Sequence, residues 1–133
     1  MPDKIDLPLA EGSYYQAADG QFLLRVADVA AYYVTNGGQI VVQPDGKESG
    51  HLSRLYLLGT AMGVLLMQRG MVPMHGSTVD INGGGVVFTG VSGAGKSTMA
   101  AGLRRLGHSL LADDVSAITC DRNGVYWLQP GYP

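Results

Sequence analysis

Short runs of apolar residues, separated by turn-forming residues, occupy much of the first fifty residues and are typical of β-strands. Three such stretches stand before residue 44, and the last two flank Asn36-Gly37-Gly38. Asn and Gly tolerate a positive φ, so this tripeptide favours a hairpin. The strands are predicted at residues 22–26, 31–35 and 39–43.

A long apolar stretch follows a turn-rich break at residues 44–50 and predicts a helix over residues 52–68. The most apolar part, residues 55–67, is shorter than the roughly 20 residues that a membrane span needs. Arg54 and Arg69 also close its two ends. We therefore expect a core helix and no membrane contact. We place a β-rich segment at residues 1–50 and a second domain at residues 51–133.

The second half alternates predicted strands with one further helix. A helix is predicted over residues 97–106, directly after a glycine-rich segment. This mixture of elements predicts an α/β fold. The chain closes on a turn sequence with nothing behind it to cover the last hairpin, so we expect the front part of a longer protein. The strands are predicted at residues 74–81, 85–89, 109–112, 115–120 and 125–128.

Composition narrows the function classes. The 133 residues are 46% hydrophobic and 15% charged, as in globular proteins. A net charge of −2 gives no electrostatic footprint for nucleic acid. Cys120 is the lone cysteine, and no apolar signal segment follows Met1, so we expect a cytoplasmic protein.

The segment between residues 90 and 98 fits the phosphate-binding loop pattern G-x-x-x-x-G-K-[ST], known as Walker A. Glycines let backbone N–H groups curl around an anion, and the following helix points its positive end at the phosphates. The lysine then reaches the terminal phosphates, and the serine hydroxyl contacts Mg²⁺. ATP and Mg²⁺ are the predicted cofactors. The predicted loop residues are Gly90, Val91, Ser92, Gly93, Ala94, Gly95, Lys96, Ser97 and Thr98.

Asp113 and Asp114 directly follow the predicted strand at residues 109–112. Ligands of α/β sheets gather at the carboxyl ends of strands, so this pair should lie at the same edge as the loop. One carboxylate there can accept a proton from an attacking hydroxyl, and the other can hold Mg²⁺. A solvated acidic turn is the alternative. His75, taken alone, fits an ordinary strand residue as well as a catalytic one.

Three segments in order resemble the bacterial HPr kinase/phosphorylase family and its HPr kinase-like relatives. They are His75-Gly76-Ser77-Thr78-Val79, then the loop, then the stretch Arg105-Leu106-Gly107-His108-Ser109-Leu110-Leu111-Ala112-Asp113-Asp114-Val115. The resemblance covers roughly residues 70–120. It implies a phosphate-loop core of the HPr kinase and phosphoenolpyruvate carboxykinase type and an ATP-dependent serine kinase.

The resemblance also implies roles for single residues. Lys96 would contact the β- and γ-phosphates, and Ser97 would contact Mg²⁺. Asp113 would take the proton from a substrate serine, with His75 beside it, and Asp114 would support the metal or the loop.

The chain also departs from that family. Thr98 stands where the bifunctional enzymes have Glu, and a further acidic metal ligand and an Arg lie on segments that this chain lacks. Residues 58–63, 68–70 and 130–133 look like stand-alone relatives instead. Some of those lie in lasso-peptide gene clusters and phosphorylate a serine of the precursor peptide. We therefore expect a peptide or small-protein substrate, and a homo-oligomer is compatible with the family.

Two other function classes stay open from the sequence. One is a nucleotide-binding module without turnover. The other is a small-molecule kinase of the adenylylsulfate-kinase kind, whose loop is similar but usually follows the first strand.

Overall fold

The computed structural model describes residues 1–46 and 50–129, which form two compact units. The first unit is Met1–Gly70, and the second begins at Met71. This division falls after Gly70, whereas the sequence prediction divided the chain after residue 50. The predicted similarity of residues 130–133 to stand-alone relatives lies outside the described residues, as does part of the predicted break at residues 44–50.

The first unit is an antiparallel sheet of five consecutive strands. The predicted hairpin at Asn36-Gly37-Gly38 is confirmed, because Thr35 pairs with Gln39 and both Asn36 and Gly37 have a positive φ. Two short strands near the N-terminus were not predicted. The strands are β1 (Ala10–Glu11), β2 (Tyr15–Ala18), β3 (Gln21–Val26), β4 (Ala30–Thr35) and β5 (Gln39–Pro44).

A helical segment packs on this sheet and explains why the first unit extends to Gly70. It consists of α1 (Gly50–Tyr56), a π-helical turn (Leu57–Ala61) and α2 (Met62–Gln68). Ala61 and Leu65 are buried against Tyr32 and Val34 of β4. Only one face is covered, since Leu55, Leu58 and Met67 are each about 60% exposed. The predicted core helix is therefore buried along one face only, and its other face is exposed.

The second unit contains a sheet built around one long strand and a single helix. Strand β6 pairs antiparallel with β7, β8 and β9, and β9 pairs with β10. Asn82 and Gly83 both have a positive φ and form the tight turn between β6 and β7. The elements are β6 (Val72–Ile81), β7 (Gly84–Thr89), α3 (Lys96–Arg105), β8 (Leu110–Ala112), β9 (Val115–Cys120) and β10 (Tyr126–Leu128).

The helix α3 ends where the sequence predicted a stop. The His108 N–H donates to the Leu103 carbonyl and the Gly107 N–H to the Arg104 carbonyl. With a φ of 98° at Gly107, this is the Schellman arrangement that closes helices. The mixed α/β class predicted from the sequence is confirmed. Across residues 1–46 and 50–129, no helix has the length and apolar character needed to cross a membrane.

The packing of the helical segment on the first sheet can be tested at Leu65. Leu65 is 7% exposed in the core of the first unit, so Leu65→Ala should lower the free energy of unfolding by about 2–5 kcal/mol. Met67, two residues away, is 62% exposed, and Met67→Ala should cost about 0.5 kcal/mol or less. Urea unfolding followed by circular dichroism measures both. Equal losses would contradict the packing.

Candidate functional site

Strand β6 brings the glycine-rich loop and the acidic pair to one edge of the sheet. Strand β7 lies along one side of β6, and β8 and β9 lie along the other. Both β7 and β8 run antiparallel to β6, so they run in the same direction as each other and end at the same edge. The loop follows β7, and Asp113 follows β8. The predicted proximity of these two segments is confirmed.

The loop between β7 and α3 depends on three glycines with positive φ. These φ values are 156° at Gly90, 80° at Gly93 and 84° at Gly95. Residues with a Cβ rarely adopt such backbone angles. The Ala94 N–H donates to the Val91 carbonyl across the turn. Gly95 is the residue before α3, so the first N–H groups of the helix face the space beside the loop.

Lys96 folds back on the loop that precedes it. Its Nζ lies 2.9 Å from the Gly90 carbonyl oxygen and 3.1 Å from the Val91 carbonyl oxygen. These oxygens carry only partial charge, so a phosphate would compete well for the ammonium group. The loop therefore holds a cation next to a set of backbone donors.

The Asp113 carboxylate connects β6, β8 and α3. Its Oδ1 accepts a hydrogen bond from the Ser77 hydroxyl at 2.6 Å, from the Ser97 hydroxyl at 3.3 Å and from the Asp114 N–H at 3.1 Å. The Ser77 hydrogen bond is the main cause that lowers the pKa of Asp113 below its ordinary value. Its Oδ2 accepts no hydrogen bond from the part of the chain that the structure describes. That oxygen is available to a ligand.

The backbone is kinked between β8 and β9. Asp114 has a φ of 73°, and the Val115 N–H donates to the Asp113 carbonyl, which makes a strained γ-turn centred on Asp114. The strand register continues across the kink, since His75 faces Val115 and Thr78 faces Ala112. The kink thus turns both carboxylates out of the strand without shifting its pairing.

Gly76 allows β6 to pass close to β7 beside this kink. A Cβ at Gly76 would collide with the Phe88 carbonyl oxygen, and the Gly76 N–H donates to the Asp114 carbonyl. Gly76 is buried, and its surroundings leave no room for a side chain. Close packing therefore explains the glycine that follows His75 in this sequence.

His75 contacts Asp114, whereas the resemblance implied a place beside Asp113. Its Nδ1 lies 3.3 Å from the Asp114 Oδ1, and both side chains are mostly exposed. An exposed pair of this kind contributes little to stability. The contact therefore pairs His75 with Asp114, while the side-chain partners of Asp113 are Ser77 and Ser97.

These groups line one cleft of about 340 Å³. Its walls come from the loop with the start of α3, and from β6 with the acidic kink. The structure thus brings together the predicted catalytic residues and most of the predicted loop. From the loop the lining residues are Ser92, Gly93, Gly95, Lys96, Ser97 and Thr98. From the strands they are His75, Gly76, Ser77, Asp113 and Asp114.

Ser77 is the residue of this site to which the sequence assigned no role. It is 1% exposed, and its hydroxyl makes the shortest of the hydrogen bonds to Asp113. The only sequence signal was its place in the His75–Val79 segment of the resemblance. Sequence periodicity does not show whether a serine inside a strand is buried and donates a hydrogen bond or is exposed to solvent.

The donor set fits Mg²⁺ as a partly hydrated ion. Hydroxyl and carboxylate oxygens are suitable ligands, and Ser97 and Asp113 already share a contact. Across the described ranges, no cluster of three His, Cys, Asp or Glu residues is placed to hold a metal. Magnesium commonly takes its other ligands from phosphates and water, so this set fits an ion that arrives with a nucleotide.

Together, fold and cleft define an α/β unit with a glycine-rich loop, a helix behind it and an acidic strand end beside it. Comparison with known families matches residues 68–127 to the family described as "HPr Serine kinase C-terminal domain". The resemblance to HPr kinase/phosphorylase stated from the sequence is therefore confirmed for this part of the chain.

Curated relatives named HPr kinase/phosphorylase also match part of this chain. The protein of Pelodictyon phaeoclathratiforme is 57% identical over 44 residues, which are 33% of this chain and 13% of that protein. For Lactobacillus acidophilus the identity is 51% over 53 residues, or 39% and 16%. For Limosilactobacillus reuteri it is 45% over 67 residues, or 48% and 20%.

The chain spans between 13% and 20% of the length of these curated relatives. No solved structure matches it.

The role of Ser77 predicts a shift in the titration of Asp113. Because the folded-state pKa is lowered, ionised Asp113 stabilises the fold above its ordinary pKa, and this is lost as the pH falls through the lowered value. Ser77→Ala removes the main cause, so the pKa of Asp113 should rise toward its ordinary value. Carbon-detected carboxyl NMR measures it directly.

Asp121 is the internal control for that titration. Hydrogen bonds from Trp127 and from backbone N–H groups lower the pKa of Asp121, and Ser77 takes no part in them. The pKa of Asp121 should therefore be the same in both proteins. An unchanged Asp113 titration, or an equal shift at both residues, would contradict the assignment.

Proposed function

We propose that this chain carries the nucleotide site of an ATP- and Mg²⁺-dependent serine kinase of the HPr kinase-like type. The observation that supports it is the contact between Asp113 and Ser97, in a cleft that the glycine-rich loop also lines. In this proposal the glycine-rich loop and the acidic group act on the same bound nucleotide. The family match over residues 68–127 supports kinase chemistry.

The loop and α3 bind the triphosphate in this proposal. Backbone N–H groups at Gly93, Gly95 and the start of α3 donate to phosphate oxygens, and the helix dipole favours their negative charge. Lys96 exchanges its two carbonyl partners for phosphate oxygens. The phosphate-loop core of the HPr kinase and phosphoenolpyruvate carboxykinase type is part of the same proposal.

The residues that would hold Mg²⁺ lie around Ser97. The Ser97 hydroxyl and one carboxylate of the acidic pair supply protein ligands, with Asp114 as the sequence-based candidate and Asp113 in closer contact with Ser97. The ion supplies charge neutralisation to the phosphates when it is bound.

Asp113 receives the acceptor hydroxyl at its free Oδ2. The hydroxyl oxygen attacks the γ-phosphorus in line, the bond from phosphorus to the β–γ bridging oxygen breaks, and the hydroxyl proton passes to Asp113. A lowered pKa makes Asp113 a weak base but keeps it ionised at neutral pH. That suffices, because phosphoryl transfer has a loose transition state and depends mainly on positioning and charge.

His75 acts through Asp114 in this scheme. Its Nδ1 contacts the Asp114 carboxylate at 3.3 Å, so Asp114 has a partner of its own and Asp113 is the carboxylate left to receive the acceptor hydroxyl. Two carboxylates next to each other otherwise compete for the same cation or proton.

The acceptor is a serine of a peptide or small protein, and the stand-alone character seen in the sequence favours a ribosomally made precursor peptide of the lasso type. We place the reaction in the cytoplasm, where the exposed, free thiol of Cys120 stays reduced. A nucleotide-binding module without turnover and a small-molecule kinase are the outcomes that the test below separates from this proposal.

Two substitutions separate nucleotide binding from transfer. Lys96→Ala removes the cation of the loop, so ATP affinity should fall by about tenfold or more. Asp113→Asn keeps the shape but cannot accept the proton, so transfer should fall by about 10²–10⁴-fold while ATP affinity changes little. Calorimetry with Mg²⁺ and ATP measures the first, and transfer of labelled phosphate to serine peptides the second.

Matched controls are Lys4→Ala and Asp121→Asn, an exposed lysine and a carboxylate with a lowered pKa outside the cleft. Both should leave binding and transfer unchanged. ATP binding without transfer to any acceptor would favour the module without turnover, and transfer to small hydroxyl compounds alone would favour the small-molecule kinase. A fully active Asp113→Asn protein would remove Asp113 from the mechanism.

A further inference from the structure

A second groove, of about 540 Å³, begins at the same two residues as the nucleotide cleft. Ser97 and Asp113 line both spaces, so Asp113 stands at their junction. The rest of the groove is lined by α3 and β8, with Ala100, Ala101 and Leu110 forming an apolar wall. Its far end carries Arg104 and Arg105.

The two arginines give this groove a positive end. Both side chains are exposed, and neither forms an ion pair with an acidic group in the described ranges. Positive charge in the last turn of α3 complements the helix dipole. The dipole does not explain why the two arginines line a groove that leads to Asp113. The Asp113 carboxylate is the lone acidic group in the lining of this groove.

We propose that this groove, which we call the arginine groove, binds the acceptor peptide and selects an acidic side chain near the phosphorylated serine. The inference rests on the proposed function, because it takes the nucleotide to lie on the loop side of Asp113. Charge decides which end of the groove each group of the peptide occupies. Its hydroxyl lies at Asp113, where an acidic side chain would be repelled, and its acidic side chain lies at Arg104 and Arg105.

The length of α3 sets the spacing between serine and acidic residue. Ser97 and Arg104 lie on one face of the helix, two turns apart, which is about 11 Å. An extended peptide advances roughly 3.3 Å per residue, so it spans this distance in about three residues. The acidic residue is therefore three positions from the serine, with small or apolar residues between them against Ala100, Ala101 and Leu110.

The test measures peptide binding independently of turnover. Serine peptides carry one Glu at the first, second, third or fourth position from the serine, on either side, and a Gln at the same position is the neutral control. Binding is followed by fluorescence anisotropy with Mg²⁺ and a non-hydrolysable ATP analogue. We expect the tightest binding with Glu at the third position, and a preference over Gln of about fivefold that weakens with salt.

Variants of the arginines identify the surface. The double change Arg104→Gln and Arg105→Gln should abolish the preference for Glu over Gln while ATP affinity stays the same. Reversal to Glu at both positions should create a preference for Lys at the third position. Arg122→Gln is the matched control, an exposed arginine of the same unit that lies outside the groove.

The outcomes separate the groove from the kinase proposal. An Arg-dependent preference for Glu without phosphate transfer to any peptide would support the groove and contradict the proposed activity. Transfer that shows no preference for acidic peptides would support the activity and overturn the groove. A double Gln variant that is less stable in thermal unfolding but keeps the preference would assign the arginines to the helix end alone.

Discussion

The hydrogen bonding of strand β6 along both of its edges is the constraint on which the second unit depends. It holds β7 on one side and the β8–β9 pair on the other, so the segments that follow β7 and β8 meet at one edge. Two features keep this arrangement tight. Gly76 removes the side chain that would strike Phe88, and the buried Thr78 and Ser116 hydroxyls hydrogen-bond across the strands at 2.6 Å. A glycine-rich loop and an acidic pair far apart in sequence thereby become one site.

Within this sheet the two adjacent carboxylates have different surroundings. Asp113 faces Ser77 and Ser97, and its hydrogen bonds lower its pKa. Asp114 instead occupies a strained backbone position and contacts His75. Strain at a turn persists only where the surrounding structure supports it, and here β6 supplies that support. The acidic pair thus separates into Asp113, which has an open oxygen, and Asp114, which contacts His75. In the proposed chemistry, that separation leaves a single place for an incoming hydroxyl, between the nucleotide cleft and the arginine groove.

Local signals allowed much of this to be predicted from the sequence. Asn36-Gly37 marked a turn because both residue types accept a positive φ, and the loop pattern located the start of α3. The missing parts depend on contacts between distant residues. Strands β1 and β2 are only two and four residues long and contain no branched aliphatic residue. The helical segment joins the first unit through packing on β4 and β5 and through hydrogen bonds to Gly37 in the turn between them. The role of Ser77 and the contact of His75 with Asp114 also depend on how β6 pairs with β8 and β9. The sequence of one strand alone does not determine that pairing.

The most direct test of a single nucleotide site is an NMR titration of the chain with ATP and Mg²⁺. We expect the backbone amides of Gly93, Gly95 and Ser97 and the side-chain carboxyl of Asp113 to shift together with one dissociation constant. The carboxyls of Asp3 and Asp121, which lie outside the cleft, should not respond. Amide shifts without any change at Asp113, or changes confined to residues 1–46, would contradict the claim that loop and carboxylate form one site.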